Sequence, residues 1–459
     1  MWDSNDKVNP FIASTPDLRS ALLYLNTAMK YQFSEQYAVE MDKNDPLKDF
    51  KDQFSIPKVN GKPSLYFCGN SLGLQPKAVN QYIQAELEVW ANEGVEGHFV
   101  GENPWVNARL RSKSILGKIL GAHEQEVVAM GSLTANLHFL MVSFYQPTQK
   151  RFKIITEAEA FPSDRYLLES QTKFHGFDPK EAIIEIKPRH GEHLLRLEDI
   201  LHTIEEHREE VALVFMSGVQ YYTGQFFDLQ AIANAAIEAG AKVGFDLAHA
   251  AGNVPLRLND WQVDFAAWCS YKYLNSGPGN IAGIFVHEKH AHNADLRRLA
   301  GWWGHDEKER FKMEGDFEPM IGADGWQLSN NNVIALAAHQ ASLDVFERAG
   351  MVNLRQKSEL LTGYLEFLIQ EIVGNSRLVE IISPRDPKDR GCQISLLIHE
   401  GGKEVFDALS RQGVISDWRN PNVIRLAPTP LYNSFAEVFQ FAGLFKQALD
   451  SIGFKERTT

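Results

Sequence analysis

The stretch CSYKYLNSGPGN (269–280) places Lys272 where the apolar run VDFAAW (263–268) gives way to a loop rich in Gly and Pro. A lysine at a strand end reaches water easily on its long stem, so position alone assigns it no chemistry. Three further strand ends carry residues of unusual type. In GSLTANLHFL (131–140), Gly, Ser and Thr stand between an apolar run and an apolar helical stretch. Free N–H groups at a helix start, with hydroxyls beside them, suit a phosphate. Plain capping by Ser132 or Thr134 is the commoner use, and the two are compatible. In GFDLAHAAGN (244–253), Asp246 closes an apolar run and His249 follows three residues later. A carboxylate there needs a partner, which a helix cap or a cationic ligand nitrogen would supply. EAFPSDRY (159–166) offers Phe161 to cover a planar ring and Asp164 to accept a hydrogen bond from it. Pro-Ser-Asp is also a common turn and helix start.

One ligand uses all four features. A phosphate cradle, an aromatic cover, a carboxylate for a ring nitrogen and a lysine amine are what pyridoxal 5'-phosphate requires. The carboxylate keeps the pyridine nitrogen protonated, so that the ring withdraws electrons from an amino acid joined to it.

These residues need a scaffold that brings strand ends together. Short apolar runs recur at 126–130, 152–156, 182–187, 211–216, 241–246, 263–270 and 281–286, with the branched-aliphatic content of strands buried on both faces. Leu197, Ile200, Leu201 and Ile204 share one helical stripe, as do Leu229, Ile232, Ala233, Ala236 and Ile237 before a stop at Gly240. Alternating strands and helices predict an α/β fold with a mostly parallel sheet, whose ligands gather at the carboxyl ends of the strands. After about residue 335 the rhythm restarts, with strands at 392–399 and 423–428 and a helix over 403–413. The expected organisation is a segment over 1–60 packed on the small domain, a large cofactor domain over 61–334, and a smaller C-terminal α/β domain over 335–459.

The 459 residues are 44% hydrophobic and 23% charged, the composition of a globular protein with ample core. A formal net charge of -13 argues against a nucleic-acid partner and gives no attraction to an anionic membrane. No apolar run approaches a bilayer span. MWDSNDKVNPF lacks the apolar core of a signal peptide and FKERTT matches no retention address, so the expected location is cytoplasmic. The three cysteines, Cys68, Cys269 and Cys392, suggest neither a disulfide framework nor a metal site.

From YFCGNSLGLQP (66–76) to RLAPTPLYNSF (425–435) the sequence closely resembles the kynureninase family, pyridoxal-phosphate hydrolases of the aminotransferase-like fold (fold type I). FPSD (161–164), SGVQYYTGQ (217–225), GFDLAHA (244–250), CSYKYLN (269–275) and GWWGH (301–305) carry the resemblance. The resemblance implies cofactor contacts from Leu133, Thr134, Phe161, Pro162, Ser163, Asp164, Ser217, Asp246, His249, Tyr271, Lys272, Trp302 and Asn330. Lys272 would be the cofactor lysine, and Tyr271 a proton donor. For the substrate it implies Arg425 on the amino acid carboxylate, a group that suits a guanidinium fork, with Ser71, His98, Ser329 and Asn330 around the aryl ketone. His98 and Asn330 match the arrangement associated with 3-hydroxykynurenine. The implied reaction cleaves the Cβ–Cγ bond of kynurenine or 3-hydroxykynurenine, in a homodimer. Two rivals are a cysteine desulfurase of the same superfamily, which needs a nucleophilic cysteine on a mobile loop, and a relative that keeps the cofactor without turnover.

Overall fold

The computed structural model describes residues 30–293 and 295–453. The first half of the expected N-terminal segment, up to residue 29, and the terminal FKERTT lie outside them. The main sheet has seven strands: β1 (Val127–Ala129), β2 (Lys153–Glu157), β3 (Ile183–Ile186), β4 (Val211–Ser217), β5 (Lys242–Asp246), β6 (Phe265–Cys269) and β7 (Ala282–Val286). Their spatial order is β1-β7-β6-β5-β4-β2-β3. All neighbours are parallel except β7, which runs against both β6 and β1. The reversal at β7 is short-range: a chain leaving β6 through the 270–281 loop returns directly, whereas a parallel return needs a long crossover.

The apolar runs are strands because both faces of this sheet are covered. Val214, Met216, Val243, Phe245, Ala266 and Trp268 face one core, while Leu213, Phe215, Phe265 and Ala267 face another. The alternation has the two-residue period of a strand. The helices Leu197–Glu206 and Leu229–Glu238 cover the first face with Ile200, Ile204, Leu229, Ile232, Ala233 and Ala236 of the expected stripes, whereas Leu201 is only half-buried and Ile237 turns to solvent at 41% exposure.

Beyond the helices Val333–Ala349 and Met351–Val373 lies a second sheet, formed by β8 (Val379–Ile381), β9 (Ile394–Ile398), β10 (Asp417–Arg419) and β11 (Val423–Leu426). Its order is β8-β9-β11-β10, and every pair is antiparallel. Its core is shared with the helix Phe435–Ser451 and with the early helix Glu35–Lys43. Asp42 at the end of that early helix accepts from the N–H groups of Phe435 and Ala436 at 2.6 and 2.9 Å, which satisfies two donors that a helix start leaves free.

One loop ties this second sheet to the lysine. The N–H of Phe67 donates to the carbonyl of Ile415, and the N–H of Ala427 donates to the carbonyl of Phe67. The chain then turns through Gly69–Leu74, where the N–H of Gly73 donates to the carbonyl of Tyr271 at 2.8 Å. Gly73 is there because nothing larger fits. A Cβ at that position would stand 2.3 Å from both the Lys272 carbonyl oxygen and Asn275 Oδ1. Replacing it by alanine must therefore push the Asn70–Ser71 loop off the lysine turn. Gly73→Ala is expected to lower stability by about 1–3 kcal/mol, with a reduced affinity for pyridoxal phosphate, read by thermal melting and cofactor titration. Unchanged values in both would contradict the close fit.

Candidate active site

The parallel strands deliver their carboxyl ends to one edge of the sheet, as such strands must. Glu157 ends β2, Ser217 ends β4, Asp246 ends β5 and Cys269 ends β6, and Asp246 is in register with Ser217. Lys272 follows three residues after β6. These residues open into a cleft of about 380 Å³.

At one end of the cleft lie Ser132, Leu133 and Thr134. The helix Leu133–Phe144 has Ser132 at its N-cap position, and Ser132 makes no side-chain capping hydrogen bond. Plain capping, the commoner use of this sequence, is therefore not what Ser132 does. The first-turn N–H groups, which no helix satisfies internally, are left with a polar hydroxyl on either side. That set of donors fits a phosphate.

Phe161, Ser163 and Asp164 reach the cleft from the start of the helix Pro162–Phe174, where Pro162 occupies the first helical position without lining the cleft itself. The Phe161 ring is 38% exposed, and its centroid lies 5.8 Å from Lys272 Nζ. Tyr221 meets Phe161 edge to face at 5.2 Å. An aromatic face held this way leaves room for a planar ring beside the amine.

Under that position sit three buried carboxyl groups. Asp164 and Asp246 face each other, and Glu157 lies close to both. Glu157 accepts from the Ser217 hydroxyl at 2.5 Å and from its N–H at 3.2 Å. Asp246 accepts from the N–H of Ala248 at 2.7 Å, whereas Asp164 Oδ1 is buried without a partner. Burial, then Asp246, then Glu157 raise Asp164 well above the usual carboxylate range, against the opposing pull of Lys272. Burial likewise raises Asp246, against Lys272 and the Ala248 N–H. A cationic ring nitrogen is what this pair lacks, and one carboxyl oxygen of it, Asp164 Oδ1, is buried without a hydrogen-bond partner.

Lys272 Nζ lies 3.0 Å from His249 Nε2. His249 is held well below its ordinary value by burial first, and then by Lys272, Arg425 and Arg419. It is a neutral imidazole at physiological pH and accepts from the lysine through Nε2. The Tyr271 ring centroid is 5.9 Å from Nζ, and burial raises its phenol above the ordinary value. Tyr271 therefore keeps its proton at neutral pH.

Ser71 lines the opposite wall, and Arg425 stands behind it, 1% exposed. Arg425 Nη2 donates to Ser71 Oγ at 3.3 Å, and Nη1 donates to the Tyr221 carbonyl at 2.6 Å. Of the residues implied by the resemblance, Pro162 and Arg425 adjoin the cleft without lining it, and four more are not brought to it by this chain. Trp302 is 41% exposed and donates its indole N–H to the Arg310 carbonyl. Ser329 and Asn330 are exposed and line a neighbouring cavity of about 1190 Å³ instead. His98 lies in the turn after the helix Val79–Glu93, with Nδ1 3.1 Å from the Val95 carbonyl and its ring edge-on to Trp105.

The sequence reading missed Glu157, Asn70, Tyr221 and Arg419, all of which line the cleft. Glu157 had the same signal as Asp246, a carboxylate closing an apolar run. Arg419 had none, because its strand is three residues long.

Comparisons with known proteins give the chain its family and its fold. Residues 354–445 match the family model described as the kynureninase C-terminal domain. A kynureninase from Flavobacterium psychrophilum is 52% identical over 422 residues, covering 92% of this chain and 99% of that protein. The Homo sapiens kynureninase is 47% identical over 435 residues, covering 91% and 93%. The chain belongs to the kynureninase family. Among solved structures, a cysteine desulfurase from Thermococcus onnurineus NA1 superposes with a TM-score of 0.69 at 16% identity, over 92% of this chain and 99% of that one. A C-DES mutant with glycine covalently linked to its PLP cofactor gives 0.68 at 15% identity, over 83% and 96%. At these identities the likeness shows the fold, that of the fold type I pyridoxal-phosphate enzymes.

The facing carboxyls have a consequence for stability. A carboxyl whose pKa is raised on folding favours the fold while protonated, and that contribution fades as pH climbs from its unfolded value near 4 toward the raised one. The pair's contribution to the melting temperature of the cofactor-free protein, read as the difference between wild type and Asp164→Asn, should therefore shrink as pH is raised from about 5 to 8. A difference that does not change with pH would contradict the facing pair.

Proposed function

We propose that the protein hydrolyses L-kynurenine and L-3-hydroxykynurenine at the Cβ–Cγ bond, releasing anthranilate or 3-hydroxyanthranilate together with L-alanine, with pyridoxal 5'-phosphate as cofactor. The observation that carries this reading is Lys272, held between His249, Phe161 and a carboxyl pair at the sheet edge, in a chain about half identical to kynureninases along nine-tenths of its length. Bound there, the cofactor supplies an aldehyde carbon for the amine and an electron-withdrawing ring.

The chain's own residues then have distinct tasks. Leu133, Thr134 and Tyr271 would hold the phosphate, and Phe161 would cover the ring. Asp246 would take the ring nitrogen, with Asp164, Ser163 and Ser217 around it. Lys272, once free, moves the proton at the substrate Cα. Tyr271 holds a proton at neutral pH and would donate it to the substrate Cβ once the Cβ–Cγ bond has broken. Arg425 receives the α-carboxylate, with Ser71 beside it.

The desulfurase alternative lacks its nucleophile. Cys392 is 1% exposed and burial raises its thiol to about 11, and Cys68 stands at about 11 for the same reason. Cys269 is buried and raised as well. None is a reactive thiolate on a mobile loop.

We place the reaction in tryptophan catabolism and pyridine nucleotide (NAD) biosynthesis, and the protein in the cytoplasm as a homodimer. Support for the dimer comes from an exposed aromatic chain, in which Phe99 meets Phe311 at 5.7 Å and Phe311 meets Trp302 at 5.5 Å. Trp302, Asn330, Ser329 and His98 would then serve the cleft of a second copy. Such a shared site predicts complementation. Lys272→Ala and Trp302→Ala proteins, each impaired alone, should recover activity when mixed under conditions of subunit exchange, and absence of recovery would count against the shared site.

The reading itself is tested by incubating the cofactor-loaded protein with each substrate. One L-alanine should form per anthranilate or 3-hydroxyanthranilate, and Lys272→Ala should lose at least about 1,000-fold in rate. Cofactor absorbance without alanine release would overturn the assignment.

A further inference from the structure

Asp417 and Arg425 stand directly opposite one another on β10 and β11. Arg419 is two residues along from Asp417 and so shares its face of the strand. One oxygen of Asp417, Oδ2, accepts from three donors: Ser71 Oγ, Arg425 Nη2 and, at 3.2 Å, Arg419 Nη2. Ser71 and Arg425 are bonded to each other as well. Arg425 therefore has one guanidinium nitrogen on the Tyr221 carbonyl and another on Asp417 and Ser71, while its Nε is buried without a partner. Two guanidinium groups against one carboxylate leave surplus positive charge at this end of the cleft.

A fixed carboxylate beside an anion site does two opposed things. It repels the incoming anion, and it locks the arginine that receives it. Arg425 and Arg419 together outweigh the single negative charge, which weakens the repulsion. The lock has no substitute, because Asp417 is the only carboxylate hydrogen-bonded to Arg425 among the described residues. We propose that Asp417 is a positioning residue for recognition of the substrate α-carboxylate, holding Arg425 and Ser71 in one arrangement toward the cleft. This rests on the reading that Arg425 receives that carboxylate.

The two effects carry opposite signs, so one substitution separates them. Asp417→Asn keeps the shape and an acceptor oxygen but removes the charge. If Asp417 positions Arg425, the holoenzyme's KM for kynurenine rises by about 10-fold or more, and kcat/KM falls chiefly through KM. The dissociation constant of L-alanine, read from the change it causes in the visible absorbance of the holoenzyme, rises in parallel. Asp417→Glu retains the charge one methylene further out and recovers part of the loss, and it serves alone should the Asn protein not fold. A KM and an alanine affinity that are unchanged or improved would overturn the proposal, because Asp417 would then be a bystander or a competitor of the substrate. A wild-type holoenzyme that binds L-alanine without cleaving kynurenine would remove the substrate assignment only, and alanine binding would then decide the role of Asp417.

Discussion

Three carboxyl groups, Glu157, Asp164 and Asp246, come to rest within one buried space beside a single lysine amine. Burying a carboxylate is unfavourable unless it is hydrogen-bonded or paired. Glu157 is answered by Ser217 and part of Asp246 by the N–H of Ala248, but Asp164 keeps one buried oxygen, Oδ1, without a hydrogen-bond partner. The remaining structure is arranged around this deficit. A planar cation presented to Asp246, with its face under Phe161 and its phosphate at the uncapped start of the helix Leu133–Phe144, would relieve it.

The fold supplies that arrangement through direction. Because β2, β4, β5 and β6 run parallel, their last residues converge without any long-range design beyond strand order. The antiparallel second sheet brings Arg419 into the cleft and Arg425 behind Ser71, beside the loop at Asn70–Ser71 that Gly73 seats against the lysine turn. The cleft is thus lined from two separately packed cores. The hydrogen bonds from Gly73 to Tyr271 and from Arg425 to the Tyr221 carbonyl are among those that join them.

Much of this was legible in sequence for a simple physical reason. Strands buried on both faces leave unbroken apolar runs, such as VALVFM before Ser217, and a polar residue closing such a run stands out. Asp246 and Lys272 were found that way. Glu157 carries the same mark and was overlooked, because its neighbours in EAEA make one more acid unremarkable. Asp417 and Arg419 could not be found so, since β10 has no apolar run and its contacts depend on cross-strand pairing. Ser132 read as a cap by propensity, and only geometry showed the cap to be unmade. Trp302, Asn330, Ser329 and His98 entered through family likeness alone, and none of them lines the cleft of this chain.

Reduction of the cofactor-loaded protein with borohydride, followed by peptide mass mapping, tests the central claim most directly. It fixes covalently whichever amine holds the cofactor. The account predicts a single pyridoxyl-phosphate adduct, located at Lys272 in the peptide containing CSYKYLN. An adduct on any other lysine, or none after saturation with pyridoxal phosphate, would contradict it.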